Sequence, residues 1–464
     1  MRLRLLTAAL LGTVLAATLA APAAQAAAPP TPGPISAVTA TTGPGAGEVT
    51  LSWRQDGSNT TAFVIETGLT VFSSTDHSLP LHGRGSKTFT VAKSRRSVTL
   101  TAAQVASAGA SLGSANHVFY RFRAVNQTTA GTSTRTWPYL QSFGVRPISA
   151  PTTGTLLRVA TFNVHTATPM AGFPSWLSRV DKVSDTILSR NPGVVGLQEL
   201  GITPADGSGP SMTAQTQAQS LVASLARKGA GRYKLVRTTR YVMPGSPSAV
   251  QGARILYDSS RYRLLSSCLD TTNGVAWSSS CTVRLRLLSG DSETARRRAG
   301  FAILQDRTTG TKFFVVAAHL DQRHSTSAAT DAVYENLRAG QVADILGQVA
   351  RSNPSALPVV LAGDLNTYQP NVGGYLAHDA LVRAGYYDTA SALTQVNLRY
   401  PTINKMACTL AIPMVGSFPG WGTRIDVVMV KGLRGAVRSE NVLQRSDCAR
   451  PSDHNLVVAD VRLP

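Results

Sequence analysis

Short runs in which apolar and polar residues alternate recur at 48–53, 62–67, 97–101 and 118–125, each separated by a turn-rich stretch. A period of two turns one face of each run toward a core, so the pattern predicts the strands of a small all-β, immunoglobulin-like sandwich. Beyond Thr155 the period changes. Apolar strands at 156–164, 194–199, 253–257, 299–306, 312–320, 358–363, 424–430 and 455–462 now alternate with helices at about 176–190, 213–228 and 327–351. Val180, Val183, Ile187 and Leu188 share one face of the first helix, and Leu337, Val342, Ile345 and Leu346 one face of the longest. The second region therefore reads as an α/β domain of about 310 residues, large enough for two packed sheets.

Ahead of both regions, Arg2 and Arg4 precede an uncharged, mostly apolar run and an Ala-Gln-Ala at 24–26, the pattern of a secretory signal peptide over residues 1–27. Pro29, Pro30 and Pro32 then open a linker over 28–34, and a second Pro/Ser/Thr/Gly stretch at 146–154 separates a first domain at 35–148 from a second at 155–464. No later stretch approaches the roughly 20 apolar residues that span a bilayer. The expectation is a secreted, extracellular protein without a transmembrane segment.

That compartment permits disulfides. The cysteines number four, and of their three possible pairings Cys268 with Cys281 and Cys408 with Cys448 are favoured, because each would staple a loop between predicted strands. No Cys-x-x-Cys or Cys-x-x-His spacing occurs, which argues against a structural zinc. The formal charge of +20 is mostly arginine and spread over both halves. It favours a polyanion such as nucleic acid as partner, although arginine enrichment across a GC-rich coding sequence would give the same surplus.

The chemistry concentrates where apolar strands end. Asn163 closes one run, Glu199 another and His319 a third; Asp364 and Asn366 end Val359-Val-Leu-Ala-Gly-Asp-Leu-Asn, Asp426 follows Thr423-Arg-Ile, and Asp453 and His454 precede the last strand. If those ends converge on one edge, the side chains share a cleft. Carboxylate and amide oxygens suit a divalent cation, Mg²⁺ foremost with Mn²⁺ or Ca²⁺ as alternatives, that neutralises a phosphate ester during cleavage. The two histidines add proton transfer near neutral pH.

These residues carry a resemblance. Ala160-Thr-Phe-Asn163, Gln198-Glu199, Ala318-His-Leu320, Gly363-Asp-Leu-Asn366 and Ser452-Asp-His454, the last following Arg424-Ile-Asp426, occur in the order of the endonuclease/exonuclease/phosphatase superfamily, which includes pancreatic-type deoxyribonucleases. The resemblance implies a four-layer α/β/β/α sandwich. It also implies that Glu199, with Asn163 and Asp453, holds the metal, and that His454, oriented by Asp426, is general base for water or stabilises the attacked phosphate. His319 would be general acid or phosphate binder, and Asp364 with Asn366 would position the nucleophile and phosphate oxygens. Either Asp364 or His454 would activate the water. In the first domain Val49-Thr-Leu-Ser-Trp53, Val98-Thr-Leu100 and Tyr120-Arg-Phe-Arg-Ala-Val-Asn126 resemble a fibronectin type III module, with the tryptophan and tyrosine anchoring its core.

The sequence also departs from the pancreatic-type pattern. Leu200-Gly201-Ile202 follows Glu199 where those enzymes carry a minor-groove arginine, and Gln251 stands where they pair a glutamate with the first histidine. Three functions remain open: an extracellular nuclease acting on DNA or RNA, a phosphatase or phospholipase acting on inositol phosphates or phospholipid head groups (sphingomyelinase-like), and a non-catalytic adhesion protein. Arginine clusters at 227–240, 284–286 and 296–298 favour the first, and the segment at 411–421, a candidate membrane-contacting hairpin, the second. Filled catalytic positions disfavour the third. Arg338 and Gln341 are expected to tie the long helix to the His319 strand, and His324 and His378 to lie at the surface.

Overall fold

In the computed structural model, residues 27–464 are described except for 43, 46, 56–58, 69–86, 112–116, 137–140, 145–152, 209–213, 244–245, 270–279, 368–375, 393, 399, 408–413, 416–417, 420–422, 434–435 and 444–449. The signal segment, Cys408, Cys448 and most of 411–421 thus lie outside the described residues. Strand alternation in the first region resolves into two sheets. Ile35–Thr42, Val49–Gln55 and Ser97–Leu100 form one; Lys87–Ala92, Ala62–Gly68, His117–Thr128 and Gly131–Thr136 form the other in that order, with Gln141–Gly144 also paired to His117–Thr128. Between them the rings of Trp53, Phe63 and Phe122 meet at centroid distances of 4.6–5.5 Å, and Tyr120 is buried beside them.

One element departs from the all-β expectation. Ala102–Ser111 is a helix. The Thr101 hydroxyl accepts from the Gln104 amide at 3.2 Å while the Gln104 side chain accepts from the Thr101 amide at 2.9 Å, a reciprocal cap that starts the helix. Alanine-rich sequence propagates it, and Val105 and Ala108, three apart, bury against the sandwich.

The second region forms two seven-stranded sheets packed face to face. The first runs Tyr233–Leu235, Arg254–Asp258, Val194–Gln198, Leu156–Asn163, Leu456–Arg462, Ala436–Val442, Thr394–Val396. The second runs Tyr262–Leu264, Arg298–Asp306, Lys312–His319, Val359–Asp364, Asp426–Lys431, Tyr387–Asp388, with Thr282–Arg284 also on Arg298–Asp306. Alternation along each strand divides the core. Leu157, Val159 and Ile255 meet Val315, Val360 and Val428 between the sheets. Phe162, Val195 and Leu197 face the helices Trp176–Arg190 and Gln217–Arg227, and Phe314, Val316 and Leu361 face Ala328–Ser352 and Leu376–Arg383. Both sides of each sheet are therefore apolar, which is why these strands read as near-continuous hydrophobic runs. At Gly196 a β-carbon would lie 2.7 Å from the Ala362 carbonyl of the facing sheet, so the sheets approach too closely there to admit a side chain.

The result is the expected four-layer α/β/β/α sandwich. Cys268 and Cys281 are joined in a disulfide. Among the described residues, no helix is long and apolar enough to cross a membrane.

Candidate active site

Register places the chemistry. In the second sheet His319 stands opposite Asp364, and Asp364 opposite Asp426, on three adjacent strands. In the first sheet Asn163 stands opposite Gln198, so Glu199 emerges beside it. The two sheet ends join at Asp364: its Oδ2 accepts from Asn163 Nδ2 at 3.1 Å and lies 3.6 Å from His319 Nε2 and 3.9 Å from His454 Nε2. Asn163 Nδ2 also reaches Glu199 Oε1 at 3.2 Å, and His454 Nδ1 meets Asp426 Oδ2 at 2.9 Å. The Asn366 amide donates to Asp364 Oδ1 at 3.0 Å, while its side chain donates to the Leu320 carbonyl at 3.0 Å. Asp453 enters through His165, whose Nδ1 is 3.4 Å from the Asp453 carboxylate and 3.9 Å from that of Glu199. All eight residues singled out from the sequence thus belong to one connected cluster.

Backbone strain gathers in the same place. Glu199, whose side chain disfavours positive φ, sits at +59°, with His165 at +57° and Asn366 at +50°. The strain is held by what surrounds it: the Thr166 amide donates to Glu199 Oε2 at 3.0 Å, and the buried Arg179 guanidinium donates to the carbonyls of Val164, His165 and Thr166.

Electrostatics separate the titratable groups. Burial opposes charging of His454, but Asp426, Asp453 and Asp364 together outweigh it and raise the imidazole well above its ordinary range. His319 moves the other way: burial, then Arg297, then His454 push it well below that range. Burial and the neighbouring Asp426 drive the Asp364 carboxyl up to about 7. Asp453 is lowered, since His165 and His454 more than offset its burial.

Sequence reasoning did not find Arg297 or His165 as site residues, and it named Gln251 only as standing where pancreatic-type enzymes pair a glutamate with the first histidine. Arg297 Nη1 lies 2.8 Å from His319 Nδ1 and 3.4 Å from Gln251 Oε1, at a position read from sequence as surface charge. His165 lay inside the Asn163 motif without a signal beyond its neighbours. One further expectation is corrected. His378 is not at the surface; it is buried with Nε2 2.7 Å from Asp388 Oδ2, because the short Tyr387–Asp388 strand folds under its helix. Arg424 pairs with that same Asp388, which leaves Asp426 to His454. Arg338 and Gln341 do tie the long helix to the segment after His319, through the Asp321 carbonyl at 3.0 Å and the Asp321 amide at 2.9 Å.

Residues 160–454 match the profile of the Endonuclease/Exonuclease/phosphatase family. The chain belongs to that family. Among solved structures it is similar to an endonuclease/exonuclease/phosphatase from Bacteroides vulgatus at 21% identity, covering 67% of this chain and 100% of that one with a TM-score of 0.46. It is also similar to a mannosyl-6-phosphatase from Bacteroides thetaiotaomicron (16% identity, 66% and 99% covered, TM-score 0.44). A third is TDP2 from D. rerio in complex with a single-strand DNA product (18% identity, 66% and 99% covered, TM-score 0.42). No curated protein matches the chain.

A member of the Endonuclease/Exonuclease/phosphatase family is a hydrolase of phosphate esters whose activity depends on a divalent cation. The residues present fit such an ion. Carboxylate oxygens of Asp364 and Asp426 lie within 4.8 Å of one another, and Asp426 Oδ1 is buried without a hydrogen-bond partner. Two buried carboxylates in mutual repulsion hold negative charge that a cation would neutralise, and Glu199, Asn163 and Asp453 supply a second set of hard oxygens beside them.

Proposed function

We propose that this chain is a secreted, extracellular nuclease that hydrolyses phosphodiester bonds of DNA or RNA. The observation that carries the reading is the placement of Asp364 between two imidazoles of opposite electrostatic character. Glu199, Asn163 and Asp453 would hold the cation, Mg²⁺ foremost. When bound, the ion neutralises phosphate oxygens and the charge that grows on them.

Asp364, with a carboxyl driven near neutral pH, accepts the proton of the attacking water as its oxygen bonds to phosphorus. His454 is held as an imidazolium by Asp426; it stabilises the pentavalent phosphate and returns a proton to the leaving oxygen as that P–O bond breaks. His319 and Asn366 contact the phosphate. This division favours Asp364 over His454 as the group that activates water.

Nucleic acid as substrate rests on the +20 charge. The arginine clusters support it less than their sequence suggests, because Arg284, Arg296 and Arg298 share Glu293, Arg286 pairs with Asp344 and Arg232 with Asp258. For residues 35–148 a fibronectin type III-like spacer is supported by the division into a three-strand and a five-strand sheet packed around Trp53 and Tyr120. The domains proposed are therefore 35–148 and 155–464, after a signal peptide at 1–27 and a linker at 28–34.

The test is side-by-side hydrolysis of plasmid DNA, RNA, phosphatidylinositol and sphingomyelin with Mg²⁺ or Mn²⁺. Cleavage of nucleic acid that EDTA stops is expected. Lipid hydrolysis with nucleic acid intact would replace the nuclease reading by the phospholipase one.

A further inference from the structure

Arg297 is among the largest fully buried side chains of the molecule, at 1% exposure, and it precedes the strand that pairs with the His319 strand. Its Nη1 lies 2.8 Å from His319 Nδ1. A guanidinium carries only donors and keeps its proton in proteins, so Nδ1 of His319 accepts, and accepting leaves it without a proton. The single ring proton then resides on Nε2, the nitrogen that faces Asp364 Oδ2 at 3.6 Å. The guanidinium is itself fixed: Gln251 Oε1 accepts from Nη1 at 3.4 Å and Gln322 Oε1 accepts from Nη2. Both glutamines are neutral acceptors, so neither competes with the imidazole as an anion would.

We propose that Arg297 is a positioning residue that locks His319 as a neutral imidazole with its proton on Nε2, so that His319 donates a hydrogen bond to a phosphate oxygen and does not shuttle protons. The inference rests on the phosphoester reading above and narrows the role of His319 within it. A neutral imidazole has no acidic proton to release near pH 7; its Nε2–H is a donor of fixed direction. The two histidines thus divide the work: His454 moves the proton and His319 grips the oxygen.

The test uses the full chain with ¹⁵N-labelled histidine and long-range ¹H–¹⁵N correlation, the His319 signals being assigned by their loss in His319→Gln. The wild type is expected to show His319 with unprotonated Nδ1 and protonated Nε2 across pH 6–8. Arg297→Lys, which keeps a cationic donor, is expected to retain that tautomer. Arg297→Met is expected to release it to a mixture and to lower kcat by about tenfold or more, with a smaller change in KM. A protonated Nδ1 or an imidazolium at His319 in the wild type at pH 7 overturns the proposal, whether or not the variants fold. An unchanged tautomer in folded Arg297→Met overturns the role of Arg297. Because the wild-type spectrum needs no substrate, it separates this proposal from the nuclease reading: the expected tautomer with DNA and RNA left intact supports the lock while removing the substrate assignment.

Discussion

His454 Nδ1 and Asp426 Oδ2 stand 2.9 Å apart, both buried, on segments 28 residues apart in the chain. An imidazole so paired has its second nitrogen directed outward, here toward Asp364, and its charged form stabilised. Asp426→Asn keeps the shape and removes the charge. It is expected to lower turnover on a phosphodiester at pH 7 by about a hundredfold, and His454→Ala by at least as much. Steady-state rates with circular dichroism to establish folding check this; near-normal turnover in both variants would remove His454 from the chemistry.

The metal requirement predicts a second outcome. Glu199 lies where Asn163, the Thr166 amide and His165 converge on its carboxylate. Glu199→Ala is expected to weaken Mn²⁺ binding measured by titration calorimetry and to lower turnover by at least about a hundredfold at fixed Mg²⁺. EDTA is expected to abolish wild-type activity and added Mg²⁺ to restore it. Activity that survives exhaustive chelation would contradict the assignment of Glu199, Asn163 and Asp453.

Much of this site was legible because polar residues that end apolar strands stand out. Asn163, Glu199, His319 and Asp364 each end a run of mostly apolar residues, and two sheets with such ends at one edge bring them together. The first helix was equally legible: its apolar stripe gives Trp176–Arg190, the bounds read from sequence. Arg297 was not, because its burial depends on strands that meet only in the folded chain, and between Arg296 and Arg298 it reads as surface charge. His378 was misread for the same reason, its partner Asp388 lying on a two-residue strand too short to show alternation. The Ala102–Ser111 helix was missed although Thr101 and Gln104 carry the spacing of a capping box.

Cys268 and Cys281 close a loop with a sequence separation of 13. Closing a loop of that size restricts the unfolded chain and stabilises the fold by about 3 kcal/mol. Both half-cystines are buried against the core between the two sheets. A Cys268→Ser, Cys281→Ser double variant is therefore expected to unfold at lower urea concentration while keeping its activity at 25 °C, since neither residue belongs to the cluster around Asp364. Loss of activity in a folded double variant would place the disulfide in support of the site.

A last expectation concerns pH. Burial works against charge on His378, but Asp379 and Asp388 outweigh it and raise the imidazole above its ordinary value near 6.5. Arg424, bonded to the same Asp388, limits that rise. The fold therefore favours the protonated ring. Stability from this contact is fully present below about pH 6.5, where the unfolded chain is protonated too, and is lost as pH rises through the higher folded value. Replacing the ring by a neutral side chain removes this linkage, so the urea midpoint of His378→Gln should lie furthest below that of the wild type near pH 6. The gap should narrow toward pH 9. Taking the difference between the two proteins cancels other groups that titrate in the window. Parallel midpoints across the whole range would show that the ring binds its proton equally in the folded and unfolded chains, so that Asp379 and Asp388 do not favour its charged form.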